Sequence, residues 1–177
     1  GFAGAKYKSF STELEAQRAY SGSPLPSSLG TRAKGGRPGA DYPIFPSIAV
    51  DGASSGNPGM CEYRGVNADS HEVIFASQQF FGTNNIAEFL AIVHAMALCR
   101  QQGVRTPIYS DSRTAMAWVR TGKCKTTLKP SEKSAFALDL IRRAEAWLAQ
   151  NPPEVRVPLL KWKTEVWGEI PADYGRK

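Results

Sequence analysis

GTNNIAEFLAIVHAMALCRQQGVRTPIYSDS, residues 82–112, holds a long helix, a stop and a short apolar strand in one run. Ile86, Phe89, Leu90, Val93 and Ala97 recur at the three- and four-residue steps that line one face of an α-helix, and Gly103 closes it. Residues 106–110 then read as a strand that delivers an acid, Asp111. A helix feeding directly into a short apolar strand is a connection of an α/β sheet, so further strands are expected on either side.

Upstream, residues 47–51 are a short apolar strand that ends on Asp51 and enters a Gly-rich turn, GASSGNPG. Residues 60–66 and 72–81 are strand-like, with Asn67, Ala68 and Asp69 as turn material between them, which gives an antiparallel meander. Downstream, a short helix covers about 112–120. A second long helix is signalled by Pro130 and Ser131 at its start and by Ala137, Leu140, Ile141, Ala144 and Leu148 on one face, and it stops at Asn151 and two prolines. Residues 155–162 form a last strand before the tail. This order predicts an α/β domain, a mixed five-stranded sheet flanked by helices, rather than a sandwich.

The chain has 177 residues, 42% of them hydrophobic and 21% charged, enough for one domain with a real core. Residues 21–46 are rich in Gly, Pro and Ser without apolar periodicity and read as a flexible linker; the twenty residues before it are too few to bury a core. Apolar runs are too short to cross a bilayer and no leader pattern stands at the start, so the cytoplasm is expected, without a membrane partner. Cys61, Cys99 and Cys124 are odd in number and lack CxxC spacing, which argues for reduced, structural thiols. A net charge of +6 suits a polyanionic partner such as nucleic acid.

Asp51, Glu88, Asp111 and Asp173 stand at a strand end, in the first turns of a helix, at another strand end and near the C-terminus. Each has an ordinary reading: Asp51 accepting turn N–H groups, Glu88 closing a capping box with Asn85, Asp111 capping the helix at Ser112, Asp173 as an exposed acid. Jointly they suggest acids converging on a cation. Magnesium takes hard oxygen ligands and keeps several waters, so a few carboxylates plus substrate phosphate oxygens would complete its shell. Without metal the cluster would repel itself and take up protons, which makes the metal-free site the strained state.

The segments AVDGASSGNPG, GTNNIAEFLAIVHA, IYSDSRTAMAWV and KWKTEVWGEIPADYGRK resemble, in order and approximate spacing, the four motif blocks of bacterial type 1 ribonuclease H. The resemblance covers about residues 47–177, which would be the catalytic domain. Residues 1–20 resemble the second half of the small hybrid-binding, viroplasmin-like domain that often precedes this enzyme, here as a remnant lacking its first half.

The resemblance implies two magnesium ions, replaceable by manganese, with Asp51 bridging both, Glu88 and Asp111 around one and Asp173 around the other. It implies hydrolysis of the RNA strand of an RNA–DNA hybrid to 3′-hydroxyl and 5′-phosphate ends. Ser54, Gly56, Asn57, Asn84 and Arg113 would meet the RNA strand and its 2′-hydroxyls. Thr83, Asn85, Thr126 and Thr127 would form a phosphate pocket for the DNA strand, with Trp118 on a deoxyribose; Trp118 also reads as core. Lys161, Lys163, Thr164, Arg176 and Lys177 would lie near phosphates. Many relatives carry a histidine before the final acid. Here the histidines are His71 and His94, the latter read as a packed or surface side chain rather than a catalyst, so Glu169 is the candidate replacement, with Glu165 the alternative. Arg113 stands where relatives often have glutamine.

A hybrid-specific endonuclease acting as a monomer, with no obligate protein partner, is therefore expected. Two rivals remain: a DNA-cutting resolvase or transposase of the same fold, and a non-catalytic hybrid binder, against which the retained carboxylates speak.

Overall fold

The computed structural model describes residues 42–175. In chain order the elements are β1 (Ile48–Ser54), β2 (Gly59–Asn67), β3 (Val73–Ala76), β4 (Phe80–Gly82), α1 (Asn84–Gln102), β5 (Ile108–Ser110), α2 (Arg113–Thr121), α3 (Ala135–Gln150), a 3-10 turn (Pro153–Val155), β6 (Leu159–Lys161) and α4 (Thr164–Trp167). The sheet order is β3-β2-β1-β5-β6, with β4 also on β2. β1–β5 and β5–β6 are parallel, and the pairs involving β2 are antiparallel. The expected mixed sheet with flanking helices is what the chain forms.

One departure lies at residues 72–81, expected as a single strand. They make two, β3 opposite Arg64, Gly65 and Val66 and β4 opposite Gly59, Met60 and Cys61, so five sheet positions are filled by six strands. Between them Ser77 Oγ accepts the Tyr63 N–H at 2.9 Å in place of a ladder carbonyl. Gln78 and Gln79 are exposed, and Phe80 turns inward to pack edge-on against Tyr63. Burying that ring outweighs continuing one strand.

Side chains alternate across β1: Ile48 and Val50 join the large core beneath the helices, while Ala49 joins a smaller cluster on the opposite face with Val66, Tyr109, Trp162, Ile170 and Ala172. α1 is the central helix, packed on β1 and β2 and against α2 and α3. Its burial therefore extends beyond the expected stripe: Ala91, Ile92, Ala95 and Met96 are buried too, and Ala97 is only partly so. A helix covered on most sides no longer needs one apolar face.

Other boundaries also shift. β1 runs on to Ser54 because β2 keeps pairing with it, so Asp51 lies inside the strand, not at its end. β5 begins at Ile108, after Pro107, which has no N–H to give. α3 begins at Ala135 rather than near Pro130, because the Ser134 hydroxyl donates to the Lys129 carbonyl at 2.7 Å and accepts the Ser131 N–H at 2.8 Å, holding a separate turn. β6 is confined to 159–161. Ahead of it, Arg156 donates to the carbonyls of Val119, Leu148 and Asn151, locking the ends of α2 and α3 together. Ile44 and Phe45, read as the end of the linker, pack against the smaller cluster, and the Ile44 N–H donates to the Tyr109 hydroxyl at 2.9 Å. The expected remnant at residues 1–20, the expected linker up to residue 41, Arg176 and Lys177 lie outside the described residues. Among the described residues no helix is long and apolar enough to cross a membrane.

Candidate functional site

β1 and β5 pair in parallel only at Ile48–Ile108 and Ala49–Tyr109. Just beyond that pairing the two strands lead to Asp51 and Asp111, and α1 brings Glu88 over the same end of the sheet. One oxygen from each of these three carboxylates lies within 4.8 Å of the others. Asp51 is 6% exposed and Glu88 8%, so two of the three acids are buried.

Gly52 makes this approach possible. A Cβ there would sit 2.7 Å from Ala87 Cβ and 2.8 Å from the Glu88 nitrogen, closer than real side chains come. The helix start thus rests directly on the strand backbone. α1 is capped by Thr83, whose hydroxyl accepts the Ile86 N–H, and not by a box between Asn85 and Glu88. Asn84 Nδ2 instead donates to Glu88 Oε1 at 3.0 Å and orients that carboxylate toward the other acids. In the same way Ser112 caps α2 by accepting the Ala115 N–H, which leaves Asp111 to the cluster.

Asp51 feels all of this. Burial, then the charges of Asp111 and Glu88, and least that of Asp173 push its carboxyl up to about 8, partly opposed by the Gly52 N–H. Asp173 is outside the group of three, yet close enough for its charge to register. Its N–H donates to the Ile170 carbonyl at 2.8 Å and its Oδ2 accepts the Gly175 N–H at 3.0 Å. Buried Ile170 and Ala172 tie this segment to the smaller cluster. A set of hard oxygen donors that resist sharing the site as anions fits a divalent cation such as magnesium.

The other residues singled out in the sequence stand outside this group of three. Glu165 and Glu169 are both exposed and stand outside the group of three. In the β1–β2 turn Asn57 and Gly56 are exposed, and the Ser54 hydroxyl donates to the Gly56 carbonyl. Thr83 is used as a helix cap and Asn84 as a Glu88 partner, while Asn85 is exposed. Trp118 is half-buried and packs edge-on against Phe89. Thr126 Oγ1 accepts the Leu128 N–H, and Thr127 and Arg113 are exposed. Lys161 Nζ donates to the Trp162 carbonyl, Lys163 sits over the Trp167 ring at 5.6 Å, and Thr164 opens α4. His94 stacks on Phe75 at 4.2 Å with the Tyr63 hydroxyl 3.2 Å from Nδ1, so of the packed and surface positions expected it takes the packed one. Gly52 was not singled out in the sequence; its sign was a glycine directly after an in-strand acid.

Comparison with known proteins gives this geometry a context. The family model described as RNase H matches residues 46–156. A curated relative, the ribonuclease H of Neorickettsia sennetsu, is 32% identical over 80 residues, covering 42% of this chain and 53% of the relative; the chain thus spans about half the length of the curated relative it matches. Similar solved structures include the N-terminal RNase H domain of a Mycobacterium tuberculosis protein fused to maltose-binding protein, at 23% identity, 66% of this chain, 86% of that one and TM-score 0.41. LC11-RNase H1 in complex with RNA/DNA hybrid is similar at 19%, 67%, 85% and 0.42, and RNase H1 from Halobacterium salinarum at 18%, 67%, 86% and 0.38. With its core strands, α1 and all three clustered acids inside the matched segment, the chain belongs to the RNase H family.

Proposed function

We propose that this protein is a type 1 ribonuclease H that cuts the RNA strand of RNA–DNA hybrids endonucleolytically, leaving 3′-hydroxyl and 5′-phosphate ends. The observation that carries the reading is the approach of Asp51, Glu88 and Asp111 within 4.8 Å in a chain of this family. Asp51, Glu88 and Asp111, with Asp173, would hold two magnesium ions, for which manganese substitutes. Bound there, the ions supply Lewis-acid activation of water and neutralisation of charge on the scissile phosphate.

The chain's own groups do the rest. Asn84 holds Glu88 in its orientation, and Gly52 keeps the helix start on the strand so that no side chain separates the acids. The burial of Asp51 and Glu88 keeps bulk water from screening them. Ser54, Gly56, Asn57, Asn84 and Arg113 serve the RNA strand; Thr83, Asn85, Trp118, Thr126, Thr127, Lys161 and Thr164 serve the DNA strand and phosphates. Asn84 and Thr83 do so with the atoms left over from their intramolecular bonds. Exposed Glu169 assists in place of the usual histidine. Residues 47–177 form the catalytic unit, residues 1–20 belong to a viroplasmin-like domain and residues 21–46 are its linker, in a cytoplasmic monomer.

End-labelled hybrid, duplex DNA and duplex RNA, each with magnesium or EDTA, test this beside an Asp111→Asn variant. Metal-dependent cutting of only the hybrid's RNA strand, lost in the variant, is expected. Cutting of duplex DNA, or tight hybrid binding without turnover in either metal, would overturn the reading.

A further inference from the structure

Arg64 lies in the middle of β2, with Asp51 of β1 directly opposite on one side and Ala76 of β3 on the other. Residues directly opposite in an antiparallel pair project to the same face, so Arg64 emerges on the face that carries Asp51. From there its guanidinium reaches across 108 positions of sequence. Nε donates to the Ala172 carbonyl at 2.9 Å and Nη2 to the Asp173 carbonyl at 2.8 Å, and the guanidinium carbon lies 4.4 Å from the centre of the Tyr174 ring.

We propose that Arg64 is the positioning residue that sets the fourth acid, Asp173, beside the other three. The two carbonyls it binds stand on either side of the Asp173 α-carbon, so holding both fixes where the carboxylate starts and which way it leaves the backbone. The carboxylate itself is not consumed by the contact. This segment needs such a device: after the four-residue α4 it contains no helix or strand among the described residues, and side-chain burial at Ile170 and Ala172 restrains its depth more than its rotation. Arg64, by contrast, is anchored in a strand paired on both sides. Its planar fork matches two adjacent acceptors with Nε–H and Nη2–H, whereas a lysine ammonium cannot present two coplanar donors. Tyr174 stacked on the guanidinium completes the clamp.

The inference rests on the functional reading for its catalytic consequence, but not for its structural one. Hydrogen exchange is measured on the metal-free full chain as wild type, Arg64→Met and Arg64→Lys. Exchange at the Asp173 and Gly175 amides is expected to rise about 10- to 100-fold in Arg64→Met and less in Arg64→Lys, while α1 and β1 stay protected. Unchanged protection at those amides in both variants would overturn the proposal. So would uniform loss of protection across the sheet in both, which would make Arg64 a general fold residue.

Hybrid cleavage supplies the second readout. Arg64→Met should lower kcat with KM for hybrid unchanged, and the Arg64→Met, Asp173→Asn double variant should be no slower than Asp173→Asn alone. Losses that multiply would refute the positioning role. Absence of cleavage by wild type would sink the functional reading instead, and the exchange result would still decide whether Arg64 docks the segment.

Discussion

Replacing Asp51 with asparagine should stabilise the metal-free protein while abolishing its activity. The carboxyl is raised from an ordinary 3.8 to about 8 by burial and by the charges of Asp111 and Glu88. Because the folded value exceeds the unfolded one, the native state binds more protons between these limits, and stability falls as pH rises through them. At about 1.36 kcal/mol per unit, the penalty is about 4 kcal/mol at pH 7 and about 1.6 kcal/mol at pH 5. An amide that hydrogen-bonds imperfectly in the same place returns part of this, so a gain of about 2–4 kcal/mol at pH 7 is expected. Urea unfolding in EDTA at pH 5, 6, 7 and 8 measures it for both proteins. The wild-type curve should decline toward pH 8 relative to the Asp51→Asn curve, and magnesium should restore wild type but not the variant. A variant that is equally or less stable at every pH in EDTA would refute the idea that this acid is held against its own charge.

Two further outcomes follow from named contacts. Gly52→Ala forces a methyl group to 2.7 Å from Ala87 Cβ, so α1 must lift from β1 and carry Glu88 with it; cleavage should fall at least about 100-fold with a stability loss of about 1–3 kcal/mol, and activity within twofold of wild type would contradict the close-packing argument. His94 is held down to about 4 by burial against Phe75, below its ordinary 6.5. Its unfolded form therefore binds the extra proton between those values, and its contribution, complete above about pH 6.5, is lost as pH falls toward 4. From pH 7 to 5 the protein should lose about 2 kcal/mol that His94→Gln does not lose, as read by urea midpoints.

By itself the sequence determined the α/β class, most of the order of elements and three of the acids that the fold draws together. Strand alternation, the spacing along α1 and the acids that follow strands are local patterns, readable over a few turns of chain. Membership in the family follows from blocks of that kind. Only the tertiary structure decided what holds those acids in place. The N-terminal cap passed from Asn85 to Thr83, and Asn84 became the partner of Glu88, because the Gly52 contact sets where α1 meets the sheet. The break between β3 and β4 came from packing Phe80 on Tyr63, and the late start of α3 from one hydroxyl at Ser134. Arg64 looked like any polar residue on a strand until register placed it opposite Asp51 and within reach of Ala172 and Asp173. Local periodicity records which face a residue takes, whereas the partner it meets there depends on contacts between segments a hundred residues apart, which no short window of sequence contains.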